Sequence, residues 1–127
     1  MLTKKYNILK ILFTGLFSFL LATSAMAHSP LKNTTPTDES TVLELPENLL
    51  LNFKDSMRMT RMTLTNPDQD IIELNLIKYK TFISDYSIPL KNMGKGIYVV
   101  KWRGLGSDGH AMNGSFSFLV KEKCQIF

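Results

Sequence analysis

The sequence has few of the residues that usually carry chemistry. It holds one cysteine, Cys124, and two histidines in 127 residues. A single thiol cannot form an internal disulfide, so the core alone must stabilise the domain. We interpret Cys124 as a residue of the chain end without a role, and pairing with a second chain or binding of a soft metal are the alternatives. Phosphate-binding glycine loops, paired catalytic carboxylates and Ser/His/Asp arrangements are also missing, which argues against an enzyme.

The sequence has only one long apolar run, and it lies near the N-terminus. Lys4, Lys5 and Lys10 precede the run Ile11 to Ala22, and the triplet Ala25-Met26-Ala27 follows it. This order is typical of a secretory signal peptide, and the run is shorter than the roughly 20 residues that a membrane span needs. We predict that residues 1–27 are a cleaved signal peptide and residues 28–127 one exported domain, with no stable membrane insertion after cleavage.

The predicted leader also explains most of the basic charge. It contains three of the 15 basic residues and none of the 11 acidic residues, so the mature domain has a net charge of +1. Nucleic-acid binding needs a basic surface that neutralises phosphates. We therefore expect no nucleic-acid partner.

The mature sequence shows no sustained helical period, and alternation of apolar and polar residues recurs instead. Such runs cover residues 49–53, 62–65, 71–76, 82–88, 97–103 and 115–120. The segment Asn66-Pro67-Asp68-Gln69 is typical of a turn between strands. The pattern predicts an all-β fold, a small Greek-key (Ig-like) β-sandwich of about seven antiparallel strands. Trp102 shares a face with Tyr98 and Val100, so we expect it in the core.

His28 becomes the first residue if the leader is cleaved after Ala27. An N-terminal histidine offers two nitrogens, the α-amine and ring Nδ1, which together can chelate a metal. The amine has an ordinary pKa of about 7.7–8.0, so a metal can displace its proton near neutral pH. Nitrogen ligands of this kind favour Cu(II) among the divalent ions. The alternative is that the histidine is an accident of the cleavage position.

The second histidine, His110, stands two positions after Asp108. In an extended segment the two side chains leave the same face, and Gly109 places no side chain between them. With His28, the donors are one amine, two imidazoles and one carboxylate, a plausible Cu(II) site for which Zn(II) is the main competitor. A lone Asp-Gly-His is more often a surface turn. Nothing in these residues shows that His28 and His110 meet.

Several separated motifs resemble the CopC family of copper-resistance proteins. The start His28-Ser29-Pro30-Leu31 and the segment Leu51-Asn52-Phe53-Lys54-Asp55 are similar to that family's opening and its "L-x-F-S-E" strand. Residues 96–103 are similar to its "G-x-Y-x-V-x-W-R". Ser107-Asp108-Gly109-His110, followed by residues 114–120, is similar to its "S-x-D-G-H-x-x-x-G-x-x-x-F-x-V".

The resemblance implies a periplasmic Greek-key sandwich that binds Cu(II) through His28, Asp108 and His110. It implies a non-catalytic carrier or buffer in copper homeostasis or resistance, with a copper-transporting protein of the inner membrane as partner. Two other functions stay open. One is a copper oxidoreductase with a histidine brace, in which Asp108 would fill the position that such enzymes keep open. The other is an exported scaffold without metal.

Some members of that family also carry a methionine-rich loop that binds Cu(I), and Met57, Met59 and Met62 stand in the matching region. Thioethers suit Cu(I), although methionine is also a common core residue. Strand alternation predicts Met62 on the core face with Leu64, and Met57 and Met59 on the opposite face. A weak second site for Cu(I) is therefore a minor hypothesis.

Overall fold

The computed structural model describes residues 30–121, which form seven strands and no helix. The strands are β1 (Leu31–Thr35), β2 (Ser40–Val42), β3 (Asn48–Thr65), β4 (Ile71–Glu73), β5 (Ile83–Pro89), β6 (Gly96–Gly106) and β7 (Ala111–Val120). Within this part of the chain, no segment has the helical length and hydropathy that a membrane span requires. His28, Cys124 and the predicted signal peptide lie outside the described residues.

The 18-residue strand β3 belongs to both layers of the fold. Its first half lies between β1 and β5, which pair with it from Asn48 to Phe53. Its second half lies between β4 and β6, and β6 continues the sheet through β7 to β2. The two layers face each other across a common core. The chain is therefore a β-sandwich, as the alternation predicted.

Two details differ from the expectation. The runs at residues 49–53 and 62–65 are two parts of the single strand β3. The strands are also not all antiparallel, because β2 pairs with β7 in parallel, from Ser40 beside Phe118 to Val42 beside Val120. A parallel neighbour needs a long connection, and the sequence of a three-residue strand does not show which neighbour it will take.

The core lies between the two layers and consists of apolar and aromatic side chains. Phe53 from the first half of β3 meets Trp102 of β6 edge to face, with 5.1 Å between ring centroids. Tyr98 stacks on Phe118 at 5.2 Å. The prediction that Trp102 packs in the core with Tyr98 and Val100 is confirmed, since all three are buried. These contacts bind β6, the strand that leads to the candidate site, firmly into the core.

A β-bulge at Thr60 sets the orientation of the methionines. The pairing of β3 with β6 shifts by one residue between Met59 and Arg61, so the alternation of side chains restarts there. A bulge of this kind redirects the side chains that follow it. Met57, Met59 and Met62 consequently all face the core and are buried. The predicted split of these residues between two faces was wrong because the sequence does not reveal the bulge.

Candidate metal centre

The turn from Ser107 to His110 connects β6 to β7 at the end of their hairpin. Gly109 N–H donates to the carbonyl of Gly106 at 3.0 Å, and Gly106 N–H donates to the carbonyl of His110 at 2.9 Å. Gly109 adopts a φ of +86°, which a residue with a Cβ rarely does. The segment is therefore a closed turn rather than the extended stretch that we considered from the sequence.

The turn brings the two predicted ligands into direct contact. The ring Nδ1 of His110 lies 2.8 Å from Oδ2 of Asp108, and the backbone N–H of His110 donates to Oδ1 of Asp108 at 3.0 Å. Both side chains remain open to solvent, 80% exposed for His110 and 59% for Asp108. Asp108 thus uses both oxygens to fix the position of His110. An incoming ion can still reach the pair without any displacement of the core.

The contact changes the acid–base properties of both groups. The hydrogen bond to the His110 ring holds the pKa of the Asp108 carboxyl below its usual range, and the bond to the His110 backbone acts in the same direction. The hydrogen bond and negative charge of Asp108 raise the pKa of His110. An ionised Asp108 accepts the proton of Nδ1, which leaves Nε2 as the nitrogen that faces solvent. Metal-binding histidines are commonly oriented by a carboxylate in this way.

Gly106 provides the space for this arrangement. A Cβ at this position would lie 2.8 Å from Oδ1 of Asp108 and 3.0 Å from Cε of Met112. Both approaches are closer than normal contact, so a larger residue would push the carboxylate away. The glycine, which the sequence presents only as a flexible position, therefore lets Asp108 and Met112 take their present positions.

The start of the described chain points toward this turn along one edge of β3. β5 pairs with one edge of β3 both at Asn52 and at Met57. The opposite edge of β3 pairs with β1 near Asn52 and with β6 at Met57. β1 and β6 therefore share one edge of β3. β1 begins opposite Phe53, and β6 ends opposite Met57. Because both run antiparallel to β3, the beginning of β1 points toward the end of β6, where the turn starts.

The segment of β3 that borders this gap contains Lys54 and Asp55, and Lys54 N–H donates to the carbonyl of Pro30 at 2.9 Å. His28 precedes Pro30 by two residues, a reach of about 7 Å in an extended chain. Asp55 is exposed in the same segment. Asp55 is not among the predicted site residues, because only the strand register brings it between the chain start and the turn.

The described residues contain no group of three or more His, Cys, Asp and Glu side chains arranged to hold a metal. Asp108 and His110 provide two such donors at the turn. The three methionines provide thioethers, but their exposed fractions are 1% for Met57, 4% for Met59 and 0% for Met62. They belong to the core cluster together with Phe53 and Trp102. Their position explains them as packing residues.

Comparison with known proteins places this architecture in a family. The model of the CopC domain matches residues 31–121, nearly all of the described chain. The chain belongs to the CopC family. Copper resistance protein C of Escherichia coli is 30% identical over 122 residues, which cover 88% of this chain and 96% of that protein. The family that the motifs indicated is thus confirmed.

Two solved structures of this family share the fold. CopC from Methylosinus trichosporium OB3b superposes with a TM-score of 0.63 at 22% identity, and the match covers 79% of this chain and all of that one. PcoC, a methionine-rich copper resistance protein from Escherichia coli, gives a TM-score of 0.55 at 26% identity, over 75% of this chain and all of that one. The CopC family match begins at Leu31, so it includes Asp108 and His110 but not His28.

Proposed function

We propose that the mature protein, beginning at His28, is a periplasmic carrier or buffer that binds Cu(II) for copper homeostasis or resistance. The family relationship supports copper as the cargo, since a relative over nearly the whole chain is named copper resistance protein C. The signal-peptide pattern of residues 1–27 supports export. In this proposal, cleavage after Ala27 removes the export signal and also creates the free α-amine of His28 that binds the metal.

The proposed ligands are the α-amine and ring of His28, the carboxylate of Asp108 and the ring of His110. The hydrogen bond between Oδ2 of Asp108 and Nδ1 of His110 opens when both side chains bind the ion. Three nitrogens and one oxygen suit the square arrangement that Cu(II) prefers. The observation that carries the proposal is the shared edge of β3, on which the start of β1 points toward the end of β6. This register supports a meeting of the chain start and the turn, which the sequence by itself leaves open.

The exposure of the turn supports a carrier function. A carrier has to release its ion as well as bind it, and a solvent-facing pair at a hairpin end exchanges ligands without unfolding the sandwich. Copper-transporting proteins of the inner membrane are the proposed exchange partners. We propose no catalytic step, because Asp108 would occupy the coordination position that an oxidase of the histidine-brace type keeps open. Cu(I) binding by Met57, Met59 and Met62 would require these side chains to leave the core.

The test is a competitive Cu(II) titration of the protein that begins at His28, with electron paramagnetic resonance at one equivalent. A variant with one glycine added before His28 converts the amine into a peptide nitrogen. A matched control carries the same glycine after Phe127. We expect tight one-to-one binding and a nitrogen-rich axial spectrum for the wild type and the control, and weaker binding with a changed spectrum for the N-terminal extension.

Equal binding by all three proteins would contradict the role of the His28 amine. If the wild type itself binds Cu(II) only weakly, the carrier proposal fails, and the family site is not functional in this chain. Oxidation of a polysaccharide or other substrate by the copper-loaded protein with peroxide would instead favour the oxidoreductase.

A further inference from the structure

A cluster of positive charge lies on the solvent face of the sheet formed by β3, β6 and β7. The strand register places Arg61 directly opposite Arg103, and Lys101 is two residues from Arg103 on the same face of β6. All three side chains are exposed. We call these three residues the basic face. Arg61 faces outward because it directly precedes the buried Met62 in the alternation that follows the bulge at Thr60.

The basic face has little compensating negative charge. Glu73 of β4 lies 3.5 Å from Nε of Arg61. Within residues 30–121, neither Lys101 nor Arg103 takes part in an ion pair. Their neighbours on β7 are Ser115 and Asn113, which carry no charge. Like charges directly opposite each other on a sheet are destabilising. The mature domain as a whole has a net charge of +1, so this positive charge is concentrated locally rather than spread over a basic protein.

The basic face surrounds a depression with a volume of about 500 Å³. Besides the three cations, its lining includes the polar side chains of Thr63, Asn113 and Ser115. Ile71, which is 72% exposed, forms part of the same lining. Such a hollow offers charged groups, hydrogen-bonding groups and one apolar contact to a bound molecule. A peptide segment with acidic side chains has the complementary chemistry.

The hollow and the candidate metal centre belong to the same hairpin. Arg103 pairs with Asn113, and only the pairs Gly104–Met112 and Leu105–Ala111 separate this row from the turn that holds Asp108 and His110. We propose that the basic face is a docking surface for an acidic segment of a partner protein, which is thereby held next to the turn. That the partner exchanges copper there rests on the proposed function, whereas the docking itself does not.

An anionic membrane is the other surface that attracts positive charge. Membrane-binding surfaces insert apolar side chains that project beside their cations. Of the residues that line the hollow, Ile71 alone is both apolar and exposed, so a bilayer would gain only one inserted side chain here. A peptide chain can enter the hollow and use Thr63, Asn113 and Ser115 for its main-chain hydrogen bonds. The shape therefore favours an acidic protein segment.

The test uses a short poly-glutamate peptide as the probe and backbone amide NMR of the mature protein as the readout. At low ionic strength we expect the largest shift changes at the residues that line the hollow, on β3, β6 and β7. Raising the salt to about 0.15 M, where the Debye length is ~8 Å, should weaken the binding. Vesicles of phosphatidylglycerol, measured in parallel, distinguish a membrane surface from a peptide.

Two triple variants with the same change in charge complete the test. One replaces the basic face (R61Q, K101Q and R103Q), and the other replaces exposed lysines of the loops (K78Q, K80Q and K91Q). We expect the first to weaken peptide binding about tenfold, since exposed ion pairs each contribute a few-fold, and the second to leave it within about twofold. Amide spectra of both variants verify that the fold is retained.

Equal losses in the two variants would overturn the proposal, because the binding would then depend on total charge. Stronger binding to the vesicles than to the peptide, lost in the R61Q/K101Q/R103Q variant, would overturn it in favour of a membrane surface. Cu(II) titration tests the proposed function separately from docking. The basic-face variant should bind Cu(II) as tightly as the wild type. A wild type that binds the peptide but not Cu(II) would support the docking surface and contradict the copper-carrier proposal.

Discussion

The methionines of β3 and the turn between β6 and β7 both contain potential copper ligands, and they are close in the fold, since Met57 pairs with Gly106. Their surroundings differ. Met57, Met59 and Met62 are buried among aromatic side chains, whereas Asp108 and His110 are exposed and joined to each other by two hydrogen bonds. A donor atom of the right type therefore makes a metal site only where an ion can reach it without disrupting the core.

The largest effect on stability should come from substitution of a buried methionine. Met62→Ala removes a side chain with 0% exposure, so we expect the free energy of unfolding to fall by about 2–5 kcal/mol. Urea denaturation measures it. The control Met62→Leu keeps the volume and should cost less than about 1.5 kcal/mol. A loss of Cu(II) affinity with little loss of stability in Met62→Ala would mean that this residue is a ligand rather than a packing residue.

A second effect should come from the hydroxyl that holds the methionine segment in place. The Tyr86 hydroxyl donates to the carbonyl of Met57 at 2.7 Å and accepts from the N–H of Met59 at 3.0 Å, just before the bulge. Tyr86→Phe leaves these buried groups without that partner and should reduce the free energy of unfolding by about 1–3 kcal/mol. Cu(II) affinity should be unchanged. An unchanged denaturation midpoint would show that the hydroxyl does not support the segment.

At the exposed turn, a substitution should reduce Cu(II) affinity and leave the stability of the fold nearly unchanged. His110→Ala removes a side chain that is 80% exposed, so we expect the free energy of unfolding to stay close to that of the wild type. Cu(II) affinity, measured by competitive titration, should fall strongly because one nitrogen ligand is lost. The control His110→Gln keeps a polar side chain and should lose affinity as well. A destabilised fold with intact Cu(II) binding would reverse the assignment.

The smallest effect concerns protonation in the metal-free protein. Asp108 raises the pKa of His110, so Asp108→Asn should return that pKa toward its ordinary value of about 6.5. The ion pair exists between the lowered pKa of Asp108 and the raised pKa of His110. The contribution of this ion pair to stability disappears as the pH falls through the pKa of Asp108 or rises through the pKa of His110. NMR titration of the His110 ring measures the shift, and equal pKa values in the two proteins would contradict the contact.

The sequence was sufficient to predict much of the fold. Alternation identified the segments that became β5, β6 and β7, and the turn from Asn66 to Gln69 is confirmed by a hydrogen bond from Gln69 N–H to the carbonyl of Asn66 at 3.0 Å. Trp102 was correctly placed in the core. These predictions succeeded because each depends on local patterns, either the two-residue period of a half-buried strand or the chemistry of turn residues.

The predictions that failed depend on pairing between distant strands. The bulge at Thr60 is visible only against β6, and it reversed the expected orientation of Met57 and Met59. The parallel partner of β2 is likewise set by the far end of the chain. At the candidate site, spacing suggested that Asp108 and His110 act together, but the shared edge of β3 and the space that Gly106 provides follow only from the three-dimensional arrangement.

In the proposed function, the mature N-terminus and the turn bind one Cu(II) ion together. The most direct measurement is amide NMR of the protein beginning at His28 during Cu(II) addition, because the paramagnetic ion removes signals of nearby amides. We predict that the signals of Leu31 and Lys32 disappear together with those of residues 107–111, in proportion to the copper added up to one equivalent. Loss of signals at only one of these two segments, while the other persists at one equivalent, would contradict the account.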